Sequence, residues 1–266
     1  MSNFAPFSDN PLNSMNTLEL LQRLEKYKKV DLKRISQSDL FDLTLTTLPI
    51  LNICSRNINM GTKLFRVRRK RAGMLFESKL DAWYPDPKYV TEMQRLNDIG
   101  EPMLYTSFDQ ATPFYESKAA TGDSFALFEY EVKKDHIIQA TSIGMNDGVL
   151  GGMLNEQGII NDKIIEQFLH TEFTKEVGSG TEYLYRISNM LAKNFYDIPN
   201  CDGYMYPSVA IGSGINVAIK PKSVDEKLLL NSVTNVIVIN LTLDSNVEVS
   251  IESRSTSIEA EGRINY

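Results

Sequence analysis

In the stretch Leu64-Phe65-Arg66-Val67-Arg68, apolar and basic side chains alternate from the second residue onward. Alternation with a period of two predicts a β-strand, here over residues 63–68. Successive side chains of a strand point to opposite faces, so Arg66 lies opposite Phe65 and Val67 if those two face the core. A guanidinium in that position is either a solvated surface group or a bidentate clamp on a phosphate or a ribose edge.

Further strands are predicted on the C-terminal side of this stretch, where short apolar or alternating runs are bounded by turn residues. They cover residues 103–108, 124–133, 136–143, 204–208, 216–220, 233–243 and 247–251. We expect 124–133 and 136–143 to form an antiparallel pair across a short turn, and 247–251 to pair with 233–243, the most regular strand pattern in the chain.

Helical patterns occupy the rest of the sequence. Asn16 or Thr17 caps a helix that runs to about Lys29, and Ser36 or Ser38 caps a second that extends, kinked by Pro49, to roughly Asn57. Further helices are predicted from Asp109 past Glu116, and over about 159–176, 181–196 and 225–230. Residues 73–102 are expected to be irregular, the glycine-rich residues 144–158 mobile, and the polar tail from Glu252 frayed.

Strands and helices are mixed without regular βαβ spacing, which favours an α+β fold with a mainly antiparallel sheet over a doubly wound one. We predict three parts: an N-terminal helical extension over 1–60, a catalytic domain over 61–251 with its motifs within 61–222, and a polar C-terminal tail over 252–266.

The composition restricts the partners. The chain has 266 residues and a net charge of −6, which argues against duplex DNA or an anionic membrane as a direct partner. The N-terminus lacks a signal peptide and no run approaches ~20 apolar residues, so the cytoplasm is the expected location. Two cysteines and two histidines without ligand spacing indicate no metal site and no cofactor.

Three polar residues at the ends of predicted elements are candidates for a site. Glu116, after Pro113-Phe114-Tyr115, is either a helix-surface residue or a carboxylate that faces a cleft and stabilises positive charge. Ser208 lies in no nucleophile elbow, so a hydrogen-bonding role is favoured over nucleophilic attack. Tyr105, on a short strand, is either a core residue or a stacking partner for a flat ring, and the same two alternatives hold for Tyr206.

In sequence order these pieces resemble the RES-domain family. Leu64-Phe65-Arg66-Val67 is similar to its opening strand, and Arg95-Leu96-Asn97-Asp98-Ile99-Gly100 followed by Leu104-Tyr105-Thr106-Ser107 is similar to its second arginine, turn and tyrosine strand. Glu116 follows as the family's glutamate does. Tyr206-Pro207-Ser208-Val209, with Asn216-Val217-Ala218-Ile219 after it, is similar to the serine motif and the closing strand.

The resemblance implies an ADP-ribosyltransferase-like fold and an enzyme that consumes NAD⁺ as its substrate by hydrolysis or phosphorolysis. By that analogy Glu116, Arg66 and Ser208 are the catalytic residues, and Arg66, Arg95, Tyr105, Ser208 and Asn216 bind the dinucleotide. Many members of the family are bacterial toxins, so a helix-turn-helix antitoxin or another neutralising protein is the implied partner. The sequence does not fix the oligomeric state and leaves a homo-oligomer open.

Two other functions are consistent with the same residues. The protein could transfer ADP-ribose to a macromolecule, with residues 144–158 as the loop that recognises the acceptor. Alternatively, it could bind a nucleotide or a partner without reacting, and the N-terminal helical extension motivates this third hypothesis.

Overall fold

The structure is a computed structural model that describes residues 10–48, 50–71, 73–145, 153–242 and 244–266. Its strands are β1 Cys54–Ile58, β2 Lys63–Arg69, β3 Leu104–Ser107, β4 Ser124–Val132, β5 Ile138–Ser142, β6 Gly203–Pro207, β7 Ile215–Ile219, β8 Leu228–Leu241, β9 Val247–Arg254, β10 Ser257–Ile258 and β11 Ile264–Asn265. Its α-helices are α1 Pro11–Ser14, α2 Thr17–Lys28, α3 Gln37–Thr47, α4 Lys79–Ala82, α5 Thr112–Glu116, α6 Glu156–Thr174, α7 Arg186–Leu191 and α8 Pro221–Lys227. Short 3₁₀ turns cover Pro87–Tyr89 and Glu182–Tyr185, and a π-helical turn covers Ala192–Tyr196.

Nine of the described strands form one sheet in the order β1-β5-β6-β7-β3-β2-β4-β8-β9. Every neighbouring pair in it is antiparallel except β5 and β6, which are parallel. The prediction of a mixed α+β fold with a mainly antiparallel sheet is therefore confirmed.

The sheet is nearly divided between β2 and β3. Strand β2 pairs with β4 over its whole length, from Lys63↔Glu131 to Arg69↔Phe125. On its other side β2 meets β3 at one pair only, Phe65↔Ser107. We call this junction the seam; because the ladder stops there, a space opens between the two strands.

The longer helices bury apolar faces against one another and against the β6–β7 part of the sheet. This cluster includes Leu24 of α2, Phe168 of α6, Met190 of α7 and Tyr204 of β6. Tyr27 joins three helices, since its ring packs edge-on to Phe168 at a centroid distance of 5.7 Å and its hydroxyl contacts Thr44 Oγ1 of α3 at 2.6 Å. The N-terminal helices are thus packed onto the sheet through α6.

A second apolar cluster lies under the segment that follows β2. Trp83 and Phe76 of that segment pack with Tyr130 of β4 and with Ile264 near the C-terminal end. The ring centroids of Trp83 and Tyr130 lie 6.0 Å apart. This cluster fixes the irregular segment over residues 76–83, whose position shapes one of the cavities described below.

Two local predictions are wrong. The second helix ends at Thr47 rather than near Asn57: Leu48 is extended, as expected for a residue before proline, and Cys54–Ile58 forms an edge strand against β5. Strands β4 and β5 do not pair with each other. Both edges of β4 are occupied, by β2 and β8, and β5 lies between β1 and β6 in the other part of the sheet.

Of the other expectations, two are confirmed and two more are wrong at least in part. Strands β8 and β9 form the predicted antiparallel pair, and the described residues between 73 and 102 contain only short helical turns. The tail expected to fray is instead held: Ile264 is buried, and the Tyr266 hydroxyl donates to the Phe76 carbonyl at 2.9 Å. Helix α8 ends at Lys227, so the second half of the helix expected over 225–230 is strand. Residues 146–152 of the segment expected to be mobile lie outside the described residues.

None of the described helices combines the length and the apolar character that a bilayer span requires.

Candidate active site at the seam

Four neighbouring strands contribute one row of side chains at the seam. The register places Phe65 of β2 beside Ser107 of β3, Ser107 beside Asn216 of β7, and Asn216 beside Tyr206 of β6. All four residues line a cavity of about 200 Å³, which we call the Glu116 cavity. Strand pairing alone therefore assembles one wall of the cavity from residues up to 151 positions apart in the chain.

The opposite wall comes from the short helix α5. Asp109, predicted to start this helix, lies three residues before it: its Oδ1 accepts from the backbone N–H groups of Ala111 and Thr112 at 2.9 and 2.7 Å, and its Oδ2 from the Thr112 hydroxyl at 2.6 Å. Pro113 occupies the first turn, where its missing N–H is not needed. Glu116 is the last residue of the helix and lines the cavity together with Pro113.

The Glu116 carboxylate is fixed by three donors that all meet one oxygen. Oε1 accepts from Ser208 Oγ at 2.5 Å, from Asn216 Nδ2 at 2.8 Å and from the Val209 backbone N–H at 3.1 Å. Oε2 accepts no hydrogen bond from the described part of the chain. Three convergent donors restrict the orientation of a carboxylate, so Glu116 presents a fixed carboxylate to the cavity.

Ser208 lies behind Glu116 rather than in the cavity wall. Besides donating to Glu116, its hydroxyl oxygen accepts from the backbone N–H groups of Ala210 and Ile211 at 3.2 and 3.1 Å and so closes a turn. A side chain at Gly214 would lie 3.0 Å from Ser208 Cβ and 2.6 Å from Thr112 Oγ1, so a glycine is needed where this turn meets α5. The structure brings Ser208 into the site as a support for the carboxylate.

Arg66 is also among the residues that line the cavity, and, as the alternation predicted, its side chain lies on the face of β2 opposite Phe65 and Val67. Its Nη1 donates to the carbonyls of Trp83 at 2.7 Å and Ala82 at 3.3 Å, which ties the segment after β2 to the strand. A guanidinium has five N–H donors, and these two bonds use one nitrogen. Arg66 also lines a second, larger cavity on the side of Trp83.

Two tyrosines complete the Glu116 cavity. The Tyr105 hydroxyl donates to Asn97 Oδ1 at 2.6 Å and accepts from the Leu96 N–H at 3.3 Å, so its ring is held at the cavity wall. Burial raises the pKa of Tyr105 and that of Tyr206. Both phenols are therefore neutral at physiological pH and offer ring faces rather than a base.

The structure does not bring Arg95 to this cavity. Its buried guanidinium donates to the carbonyls of Glu172 at 3.1 Å and Lys175 at 2.9 Å, at the end of α6, and lies 5.1 Å from the centroid of the Tyr185 ring. A cation at a helix C-terminus satisfies carbonyls that have no partner within the helix. The position supports a structural role and gives no support to the predicted contact with a ligand.

The structure therefore assembles most of the predicted set and adds one group that the sequence did not mark. Arg66, Tyr105, Glu116 and Asn216 line one cavity, and Ser208 contacts Glu116. The Val209 N–H is a backbone donor and carries no side-chain signal. Tyr206, which the sequence left open between a core residue and a stacking partner, also lines the cavity.

Comparison with protein-family models gave no match for this chain, and a search of curated proteins gave none either. Within the described residues, no group of three or more His, Cys, Asp or Glu side chains is arranged to hold a metal ion.

Proposed function

We propose that this protein cleaves the N-glycosidic bond between nicotinamide and ribose in NAD⁺, and that its sheet is of the ADP-ribosyltransferase type. One observation carries the proposal: a carboxylate fixed by three donors faces the same small cavity as an arginine and two neutral tyrosines. The ordered likeness to the RES domain supports the same assignment.

The chemistry suits a site with a fixed negative charge and no general acid. The bond between the nicotinamide nitrogen and C1 of its ribose breaks, and both electrons pass to the nitrogen, which neutralises the pyridinium. Nicotinamide leaves without needing a proton, while positive charge develops on C1 and the ring oxygen of the ribose. A carboxylate already oriented beside that carbon, in this proposal Glu116, lowers the barrier electrostatically.

The other residues have distinct roles in this scheme. Arg66 binds phosphate, for which the planar guanidinium fork is suited. Tyr105 and Tyr206 supply ring faces for the nicotinamide. Ser208 acts through Glu116 and is a positioning residue, and Asn216 both positions Glu116 and lines the cavity.

Either of two acceptors completes the reaction. Water adds its oxygen to C1 and releases a proton, which gives ADP-ribose. Inorganic phosphate adds an oxygen to the same carbon, which gives ADP-ribose phosphorylated at that position. Both paths release nicotinamide, so its release tests the proposal while the second product identifies the acceptor.

The test is to incubate purified protein with NAD⁺, with and without phosphate, and to follow nicotinamide by chromatography. The proposal predicts turnover by the wild-type protein and little by Glu116→Ala. Absence of turnover in the wild type, or full activity in Glu116→Ala, refutes it. With labelled NAD⁺, label that stays on protein or nucleic acid would instead indicate transfer of ADP-ribose to a macromolecule.

The RES likeness also supports the proposal that the protein is a toxin held in check by a neutralising partner, such as a helix-turn-helix antitoxin. Induced expression in bacteria would then lower cellular NAD⁺ and arrest growth, and expression of Glu116→Ala at the same level would do neither. Growth arrest with an unchanged NAD⁺ pool would contradict this proposal.

A further inference from the structure

The Glu116 cavity is too small for a whole dinucleotide. Its volume of about 200 Å³ lies below the roughly 300–1,000 Å³ typical of small-molecule sites. A nicotinamide and its ribose would fill it, so the remaining half of NAD⁺ must lie outside. Arg66 indicates where this half lies, because the same residue also lines a second cavity of about 790 Å³, and its guanidinium lies there beside Trp83. We call this second space the Trp83 cavity.

The Trp83 cavity has a cationic wall. Arg66 and Arg68 project from alternate positions of β2, and Lys79 lies at the start of α4. Each arginine uses one terminal nitrogen on a carbonyl, Arg66 on Trp83 and Arg68 on Asp81, and keeps its other donors. Burial and the charge of Arg66 lower the pKa of Arg68, which shows that the two cations repel each other and that an anion between them would relieve the repulsion.

The carboxylates around this cavity are mostly engaged with other groups. Asp225 accepts from Trp83 Nε1 and from the Tyr84 hydroxyl, each at 2.7 Å. Asp86 pairs with the ammonium of Lys88 at 3.0 Å. Asp81 and Asp225 keep their negative charges, since Asp225 accepts only from neutral donors, but they are outnumbered by the cations Arg66, Arg68 and Lys79, so the cavity can still accept an anion.

The outer rim of the cavity is apolar and exposed. Leu80 is 80% exposed and Tyr89 is 71% exposed, more than any other large apolar side chain in the described part of the chain. Both lie beside Tyr84 around the same space. Isolated exposed apolar residues need no explanation, but two that flank one cavity beside aromatic rings form a surface suited to a flat base.

Resting on the proposed function, we propose that the Trp83 cavity binds the nucleoside-diphosphate half of NAD⁺ and so makes the enzyme selective for dinucleotides over nicotinamide mononucleotide. The diphosphate lies against Arg66 and Arg68, and the base lies against Tyr84 and Tyr89. Contacts to this remote half add binding energy that the mononucleotide cannot supply, which raises kcat/KM for NAD⁺.

Trp83 provides a direct readout, because it is the only tryptophan in the chain and it lines the cavity. The probe is ADP, which lacks the nicotinamide and its ribose and so reports on this cavity without any reaction. ADP should change the Trp83 fluorescence saturably and bind more tightly than either adenosine or pyrophosphate alone. An unchanged signal with no heat in calorimetry overturns the inference, as does adenosine binding as tightly as ADP.

Tyr89→Ala tests the rim, since an exposed side chain can be removed without unfolding the protein. We expect ADP binding to weaken at least about fivefold, the lower end of the effect of losing one aromatic stacking partner. Ile251→Ala on β9, also exposed, is the matched control and should bind ADP as the wild type does. Equal affinity for ADP in wild type and Tyr89→Ala overturns the assignment of the rim.

Turnover separates this inference from the proposed function. We expect kcat/KM to be at least about tenfold higher for NAD⁺ than for nicotinamide mononucleotide, on the scale of one charge-assisted hydrogen bond. Tyr89→Ala should reduce that ratio, whereas the control Ile251→Ala should leave it unchanged. Equal kcat/KM for both substrates refutes the proposed selectivity for dinucleotides and leaves the proposed function standing. ADP binding without turnover of either substrate refutes the proposed function and leaves the ADP site standing.

Discussion

Replacing Glu116 with glutamine isolates the charge of the carboxylate from its shape. Three donors meet Oε1, and a glutamine can place its carbonyl oxygen there and keep all three bonds. Its amide nitrogen then takes the place of Oε2, so the cavity loses a negative charge and keeps its volume. Because the fold and the contacts are retained, any loss of turnover reports on charge.

The size of the loss follows from electrostatics. A unit charge about 4 Å from a developing positive charge contributes roughly 4 kcal/mol at an effective dielectric constant of about 20. Each 1.36 kcal/mol changes a rate about tenfold, so the upper limit is about 10³. Measured losses of single electrostatic groups in active sites are also about 10²–10³. We therefore expect kcat for Glu116→Gln to fall at least about 10²-fold.

The assay is the release of nicotinamide under saturating NAD⁺, together with substrate affinity measured by calorimetry at a temperature where turnover is negligible. Affinity should change little. The matched control is Glu129→Gln: Glu129 is a buried strand glutamate that contacts Lys63 Nζ at 2.9 Å and Asn231 Nδ2 at 2.7 Å and does not line the cavity. If Glu116→Gln keeps full turnover, or loses affinity as much as rate, the role assigned to Glu116 is wrong.

Four further outcomes are expected. Arg66→Lys should raise KM about tenfold or more with a smaller change in kcat, because an ammonium cannot reproduce the guanidinium fork; an unchanged KM in steady-state assays would remove Arg66 from the site. Ser208→Ala should lower kcat about tenfold at nearly constant KM, since it removes one of three bonds that orient the carboxylate; a pure KM effect would mean direct contact with substrate. Glu252→Ala should lower the free energy of unfolding, measured in urea, by up to about 3 kcal/mol, because the Lys70 side chain is 1% exposed and would lose its partner at 2.8 Å. Adding Lys70→Met to this variant should recover much of the lost stability. No recovery would show that the ion pair is not the cause. Burial raises the pKa of Tyr130 from 10.0 to about 12, so the protonated phenol stabilises the fold below pH 10, and this contribution is lost as pH rises from 10 to 12. Tyr130→Phe should therefore flatten that part of a profile of unfolding free energy against pH. An identical slope in the variant and the wild type would refute the shift.

Local features were predictable from the sequence because their causes are local. The strand 63–68 and the face on which Arg66 lies follow from alternation, and the β8–β9 pair follows from two adjacent patterns with a short connection. The turn that leads into α5 follows from the ability of the Asp109 side-chain oxygen to accept from nearby N–H groups, although the helix itself begins at Thr112. These features account for Glu116 at the end of a short helix.

Non-local features were not predictable. Nothing in residues 136–143 shows that this strand lies between β1 and β6 and not beside β4, because the choice depends on which edges other strands have already taken. Arg95 shows the same limit for a side chain. Its place in a motif predicted a ligand contact, but its surroundings are set by the end of α6, about 80 residues away. Ser208 illustrates an intermediate case: the sequence placed it in the site, and only coordinates show that it supports Glu116.

The long chain separation between the partners of Glu116 has a consequence for biosynthesis. Its donors come from residues 208, 209 and 216, about 100 positions further along the chain. A polypeptide still attached to the ribosome cannot hold this carboxylate until β7 has left the exit tunnel. Under the proposed function, no reaction in the Glu116 cavity can therefore begin until most of the protein has been synthesised. A partner that binds the nascent polypeptide could bind before the site is complete.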